Sequence, residues 1–587
     1  MCALLIGETA KIINAVISFE ANFTHPAQAC TTLHRHDPRV PISSDEPHPF
    51  SDALVRSGLI SGDLDQIEAL FDTHWYDLAS TFGPELLRTV EGIPAEAFES
   101  RPRLLHAALL AYLRAGHAEG DHRRVRRMLQ FYVVVGQRYA TRLGLFSRPA
   151  DLLAAGTASV ISGRLRGDYG GAERIGAWTD AHVTLGAVRP IPPWKPAPAE
   201  ARPGWLSAER GLTAMLGGSL DEATRLFTRA HAEAGEPPHA HYAGTSAAAN
   251  LALLSAWRGH LDLARRWLEE LDRSGPLPEW IQHQCGTGAA TASALIAIDE
   301  GDPDTAARVL HRIGPATESG ELWPFVAFAD ASYEAHFGDP HRGLRALDAA
   351  RQRHGALTPD PTTMTGELVL RAEAKLLLRV GTGTRVLHLS DQYAECGSLT
   401  LYAAWAHLLA GEHHEAMRLA AEAIRYNQLP LNDQMGLHLV RATTHLRTGH
   451  LERAGDAFLS ASRLRASRAH VSPFLALHDV ELEELARLAR VANPLHDGTV
   501  TARYNAPPSG PLVHLTPRER EVLRALSTGQ TAQKTAAQFG VSVTTVRTQI
   551  RRIYQKLRVS HRKEALAKAE SLGLLRGRKA ASHDRAG

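Results

Sequence analysis

Between residues 51 and 490 the apolar positions recur at the three- and four-residue spacing of amphipathic helices. No stretch of useful length alternates apolar and polar residues as a half-buried strand would. The pattern predicts helix after helix, rich in Ala, Leu and Arg. Inside it, a glycine followed five residues later by a small residue recurs: Gly167 and Ala172, Gly218 and Ala223, Gly259 and Ala264, Gly301 and Ala306. Gly338 and Gly343, Gly411 and Ala416, and Gly449 and Ala454 continue the series. Successive glycines from Gly218 to Gly301 are 41 and 42 residues apart, with 37 more to Gly338; Gly381 and Gly411 follow less regularly. The glycine ends one helix, the next begins within a few residues, and the small residue lets the pair approach closely. Each pair then buries its remaining apolar face on its neighbour, which makes a solenoid.

These helix pairs resemble tetratricopeptide repeats, although their period exceeds the usual ~34 residues. Residues 1–50 hold two apolar stretches followed by a polar run from His34 to Pro49, and are expected to be poorly ordered. The helical pattern breaks at Arg189-Pro190-Ile191-Pro192-Pro193-Trp194-Lys195-Pro196-Ala197-Pro198. Proline at that density forbids helix and favours extended polyproline II, so the segment reads as a rigid link between two parts of the solenoid. A second linker, 491–512, carries Pro494, Pro507, Pro508 and Gly510.

Beyond it the pattern shortens into a compact set of four helices over 513–576, with a basic tail at 577–587. Thr516 can cap the first helix, Pro517 suits its first position, and Glu519 can complete a capping box. Val522, Leu523 and Leu526 give that helix its apolar face, and Gly529 suits its end. A second helix, Thr531 to Phe539, stops at Gly540, which can take the left-handed conformation that a tight turn requires. Ser542 caps a third helix running to Leu557. Its Val546, Ile550, Ile553 and Leu557 form one inward stripe. The opposite face carries Thr544, Thr548, Arg551 and Gln555, flanked by Thr545, Arg547, Arg552 and Lys556. Hydroxyls, guanidinium groups and an amide along one face are what reading base edges and gripping phosphates require.

Charge sharpens the picture. From Leu512 to Lys579 there are fifteen Lys/Arg and four Asp/Glu, a net charge of +11, whereas residues 1–511 carry 49 basic and 58 acidic side chains, a net of −9. A small basic module on a large acidic body is the layout of a nucleic-acid binder whose larger part does something else.

Together these residues carry a family resemblance. Leu515-Thr516, Arg518-Glu519, Glu521-Val522-Leu523, Gly529, Val541-Ser542, Thr545-Val546-Arg547, Ile553-Tyr554, Lys556-Leu557, Val559-Ser560, Arg562 and Glu564-Ala565 resemble the LuxR-type DNA-binding domain. The resemblance spans about a tenth of the chain. It implies a four-helix fold whose third helix enters the major groove and whose fourth, about Arg562 to Leu572, forms a dimer contact. By match to the family pattern, base readout falls to Arg547, Thr548 and Arg551, and backbone contacts to Thr545, Lys556 and nearby basic groups. Four positions depart from it: Lys534 for Glu, Thr535 for Ile, Gln549 for His and Arg558 for Gly. These changes add positive charge and alter the chemistry beside the bases while leaving the fold expectation intact.

The remaining chemistry is exclusion. None of the eight lysines follows a glycine, so no phosphate-binding loop of the Gly-x4-Gly-Lys-Ser/Thr form exists. The chain resembles large ATP-binding LuxR-type regulators lacking the ATPase, and the lysine pattern also disfavours a phosphoacceptor receiver domain. The histidine pairs His34/His36, His239/His241 and His413/His414 have no Cys or carboxylate partners at ligand spacing, and no metal or other cofactor is expected. No nucleophile-elbow sequence points to an enzyme. The four cysteines lie far apart, no apolar run approaches a membrane span, and the first residues do not read as a secretory signal, so a cytoplasmic protein is expected.

The sequence thus predicts an all-α chain: a tetratricopeptide-like solenoid over 51–490, then a LuxR-type helix-turn-helix at 513–576. The expected function is sequence-specific transcription regulation on double-stranded DNA, as an activator and homodimer that contacts RNA polymerase. The solenoid would sense a small-molecule or protein effector. The alternative is a protein-interaction scaffold anchored to DNA by its basic domain.

Overall fold

A computed structural model of the chain describes residues 52–73, 75–119, 122–186, 202–237, 241–275, 278–425, 429–465, 470–495, 506–510 and 512–575. Residues 1–50, the proline-rich segment 189–198, much of the second linker and the basic tail lie outside these. Among the described residues the chain is all-α, without a strand. The described residues divide into two compact units, one drawn from 1–297, 304–329 and 346–366, the other from 298–303, 330–345 and 367–587.

The glycines predicted to end helices do so for a definite reason. Gly167, Gly218, Gly259, Gly301, Gly381, Gly411 and Gly449 all have φ between +73° and +90°. At Gly259, the next amide, His260 N–H, reaches back to the Ser255 carbonyl at 2.9 Å; Glu412 N–H reaches His407 and His450 N–H reaches His445 at the same distance. This six-to-one closure satisfies carbonyls that a helix end would otherwise strand, and the left-handed residue it needs is cheapest as glycine. The small residue five positions on is fully buried at Ala172, Ala223, Ala264, Ala416 and Ala454. A side chain added at Gly163 would meet the Ala172 Cβ at 3.0 Å, so small residues on both helices set the approach.

Gly338 departs from the pattern, since it is not left-handed. There the Glu334 carboxylate accepts from Asp339 N–H at 2.7 Å and pairs with Arg342, so a side chain makes the corner. Its companion Gly343 is needed for approach: a Cβ there would stand 2.7 Å from Leu376 Cδ2.

In the first unit, Ile67, Phe71, Leu86, Leu104 and Tyr132 centre an apolar core. In the second, a core spanning Leu370 to Leu495 includes Trp405, Met435, Phe458 and Phe474. A separate small core, built on Leu523, Val546, Ile553 and Ala569, belongs to the four C-terminal helices.

Candidate nucleic-acid interface

The four C-terminal helices are α1, Pro517–Ser527; α2, Ala532–Phe539; α3, Val543–Leu557; and α4, Arg562–Ser571. Each begins on a side-chain cap. Thr516 Oγ1 accepts from Glu519 N–H at 3.2 Å while Glu519 Oε2 accepts from Thr516 N–H at 2.8 Å, a complete capping box. Thr531, Ser542 and His561 cap the other three by accepting from Lys534, Thr545 and Glu564 N–H. Between α2 and α3, Gly540 takes φ +62°, ψ +34°. That residue sharply ends α2, and Ser542 starts α3 two residues later.

Along α3, Val546, Ile553 and Leu557 are buried and Ile550 is partly buried against the same core, so the inward stripe falls where its periodicity places it. The opposite consequence is the interface. Thr544, Thr545, Arg547, Thr548, Arg551, Arg552 and Lys556 are all exposed. Among the described residues, Arg547, Arg551 and Arg552 make no side-chain hydrogen bond or ion pair, so their donors are available to a ligand. The two hydroxyls behave differently. Thr548 donates to the Thr544 carbonyl at 3.0 Å, and Thr545 shares a 2.8 Å hydrogen bond with the Ser542 cap.

Lys556 has a second task that sequence reasoning missed. Its Nζ lies 2.6 Å from Glu519 Oε2 and ties α3 to the start of α1. Burial pushes the Glu519 carboxyl up, but Lys556 and the Thr516 N–H outweigh burial and hold it below the usual carboxylate value. Arg558 is equally telling. It ends α3 at φ +55°, the left-handed position where the LuxR-type pattern has glycine.

The apolar residues of α4 do not form a free edge. Ala565, Ala569 and Leu572 are buried in the domain's own core and Leu566 packs partly against it. Lys563, Glu564, Ala567, Lys568, Glu570 and Ser571 remain outside. The apolar residues of α4, the helix that the family resemblance assigns to a dimer contact, are therefore spent on closing a domain of four short helices.

Within the second unit, the segment entering α1 is seated on the helices Gly383–Gln392 and His413–Ala423 and their turns. Val513 N–H donates to Thr384 Oγ1 at 2.9 Å, and Gly510 N–H to the Leu409 carbonyl at 3.3 Å. The Glu412 carboxylate bridges His407 Nδ1 at 2.7 Å and His514 Nε2 at 2.6 Å. Burial raises the Glu412 carboxyl, but these two hydrogen bonds prevail and lower it. No sequence signal marks this seat, because His514 and Glu412 are 102 residues apart. The docking leaves the outward face of α3 open.

No group of three or more His, Cys, Asp or Glu that could hold a metal occurs among the described residues, and no described helix is long and apolar enough to cross a membrane.

A capped first helix, a tight left-handed turn and a third helix with an outward arginine-threonine face define a DNA-binding helix-turn-helix. Residues 513–569 match the family of bacterial regulatory proteins, luxR family, so this C-terminal domain is a LuxR-family helix-turn-helix. The chain is also 33% identical over 107 residues to the HTH-type transcriptional regulator MalT of Klebsiella pneumoniae subsp. pneumoniae; the match covers 16% of this chain and 12% of that protein. No solved structure matches.

Proposed function

We propose that the protein is a sequence-specific, double-stranded DNA-binding transcription regulator. It acts as an activator, and its tetratricopeptide-like helical pairs over 51–490 receive a small-molecule or protein effector. The observation that carries the reading is the row of exposed side chains on α3, with Arg547 and Arg551 free of internal partners. Arginine matches the paired acceptors of guanine in the major groove, and Thr548 between them offers a hydroxyl to either base type. Thr544, Thr545, Arg552 and Lys556 flank them and face the phosphates. A basic domain of this size meets few base pairs, so two copies on adjacent half-sites supply the specificity a genome demands. RNA polymerase contact belongs to the same activator reading.

Selection of bound duplexes from a random pool with the full chain, followed by footprinting, tests this directly. A recurring motif and a defined footprint are expected. A scaffold merely anchored to DNA would enrich no motif and protect no fixed site.

A further inference from the structure

The first unit contains a partly open cavity of about 150 Å³ that the DNA-binding reading does not use. Six α-helices line it: Pro102–Glu119, His122–Ala140, Pro149–Leu165, Trp205–Leu216, Ala243–Trp257 and Glu279–Asp299, with the turn at Gly320–Leu322. Much of its wall is aliphatic, from residues such as Leu109, Leu113, Leu129, Ile161, Leu212 and Ile281.

One side is a chain of polar groups, each held by the next. Trp205 Nε1 donates to Tyr242 Oη at 3.0 Å, and Tyr242 O–H donates to Glu209 Oε1 at 2.8 Å. Arg164 then lies between two carboxylates, 2.8 Å from Glu209 Oε2 and 2.9 Å from Glu321 Oε1. One guanidinium against two carboxylates leaves a net negative charge on this wall. Burial, with help from Glu209, pushes the neighbouring Cys285 thiol up to about 12, so the cavity offers no thiolate for covalent capture.

Asn250 adds a second, independent feature. It lines the same cavity, is only 5% exposed, and its Nδ2 donates to the Ser246 carbonyl at 2.9 Å. Its Oδ1 is buried without a hydrogen-bond partner. Buried acceptors are almost always satisfied, and one left open beside a cavity is an acceptor waiting for a donor.

We propose that this cavity is the effector site, and that it takes a small, mostly apolar molecule whose polar end donates a hydrogen bond to Asn250 and carries no negative charge. The proposal rests on the effector-sensing reading above and gives that reading a place and a chemistry. A cavity of this volume accommodates a single-ring molecule, of roughly six to ten non-hydrogen atoms. The aliphatic wall selects the apolar body, while the Glu209–Arg164–Glu321 wall repels a carboxylate or phosphate. A molecule seated there touches several of these helices at once and favours whichever arrangement of them encloses it best.

Calorimetry on the full chain with indole, benzyl alcohol and benzoate tests it. Indole and benzyl alcohol are expected to bind with Kd on the order of 1 mM or tighter, as so few atoms allow. Benzoate is expected to bind at least about tenfold more weakly, since burying an unpaired charge is costly. Asn250→Leu should weaken indole and benzyl alcohol by about tenfold while leaving toluene unchanged, the loss of one hydrogen bond. Leu212→Phe, which fills the cavity and keeps its apolar surface, should abolish binding of all four probes. Saturating concentrations of indole and benzyl alcohol with no heat, benzoate equal to benzyl alcohol, or binding untouched by Leu212→Phe would each overturn the site. Fluorescence anisotropy on the selected operator is measured separately on the unliganded chain. DNA binding without probe binding discards the cavity alone, and probe binding without sequence-specific DNA binding discards the regulator reading alone.

Discussion

Two arginines and a lysine on one helix illustrate how position divides labour among like charges. Arg547 and Arg551 are exposed and unpaired, whereas Lys556 grips the buried Glu519 carboxylate. Replacing Arg551 or Arg547 with Ala should cost ~1–3 kcal/mol of specific binding and relax preference at particular base pairs, read by competition between operator variants. Lys556→Ala should weaken all sequences about equally with a shallower salt slope. It should also lower the melting temperature of the domain, because it leaves the Glu519 carboxylate buried without its cation at only 3% exposure. Equal losses for Arg551→Ala on operator and random DNA would show that the assigned roles are wrong. Arg558 tests the backbone in the same region. Its left-handed φ of +55° costs an L-residue roughly 1 kcal/mol or more, so Arg558→Gly should stabilise the domain by about 1 kcal/mol in chemical denaturation. A destabilised Arg558→Gly domain would mean that the arginine side chain contributes more than its backbone strain costs.

At the scale of elements, helix ends do most of the organising. The left-handed glycines close one helix and release the next, and the buried alanines five residues later set how closely the two pack. The same local chemistry starts α1–α4 on Thr516, Thr531, Ser542 and His561. Such signals involve residues within six positions of each other, which is why they are readable along the chain. The seat beneath α1 is of another kind. Glu412, lowered by His407 and His514, contributes fully when ionised, above its ordinary value of 4.5. The contribution disappears as pH falls through the lowered folded-state value. The difference in melting temperature between the protein and its Glu412→Gln variant should therefore shrink toward zero on acidification through the carboxyl's lowered folded-state value. Because this carboxylate is a third exposed, the effect should stay under about 1 kcal/mol. A difference that grew on acidification would remove Glu412 from the seat.

For the molecule as a whole, the question is how a single small domain reaches specificity. The expected dimer needs a contact, and the apolar residues of α4 are committed to the domain core. The pairing surface must then come from the polar outside of α4 or from the larger body. Footprints of two half-sites about one helical turn (~10 base pairs) apart, with two chains per duplex by ultracentrifugation, are expected. Isolated residues 511–587 should bind the same duplex more weakly than the full chain, since linked modules raise the effective concentration of the second contact. One chain per duplex at saturation would exclude the dimer.

By itself the sequence determined the all-α class, the helix ends and which side chains of α3 face outward. Periodicity and capping act over a few residues, and a stripe such as Val546, Ile550, Ile553 and Leu557 can face only one way. It could not decide whether Ala565, Ala569 and Leu572 meet a second copy or their own core, because an apolar face carries no record of its partner. The Lys556–Glu519 tie, the Glu412 bridge between His407 and His514, and the open acceptor of Asn250 beside the Glu209–Arg164–Glu321 wall were decided only by tertiary structure. Each joins or isolates groups separated by tens to hundreds of residues. Burial, which makes such charges and acceptors matter, exists only once distant helices have closed around them.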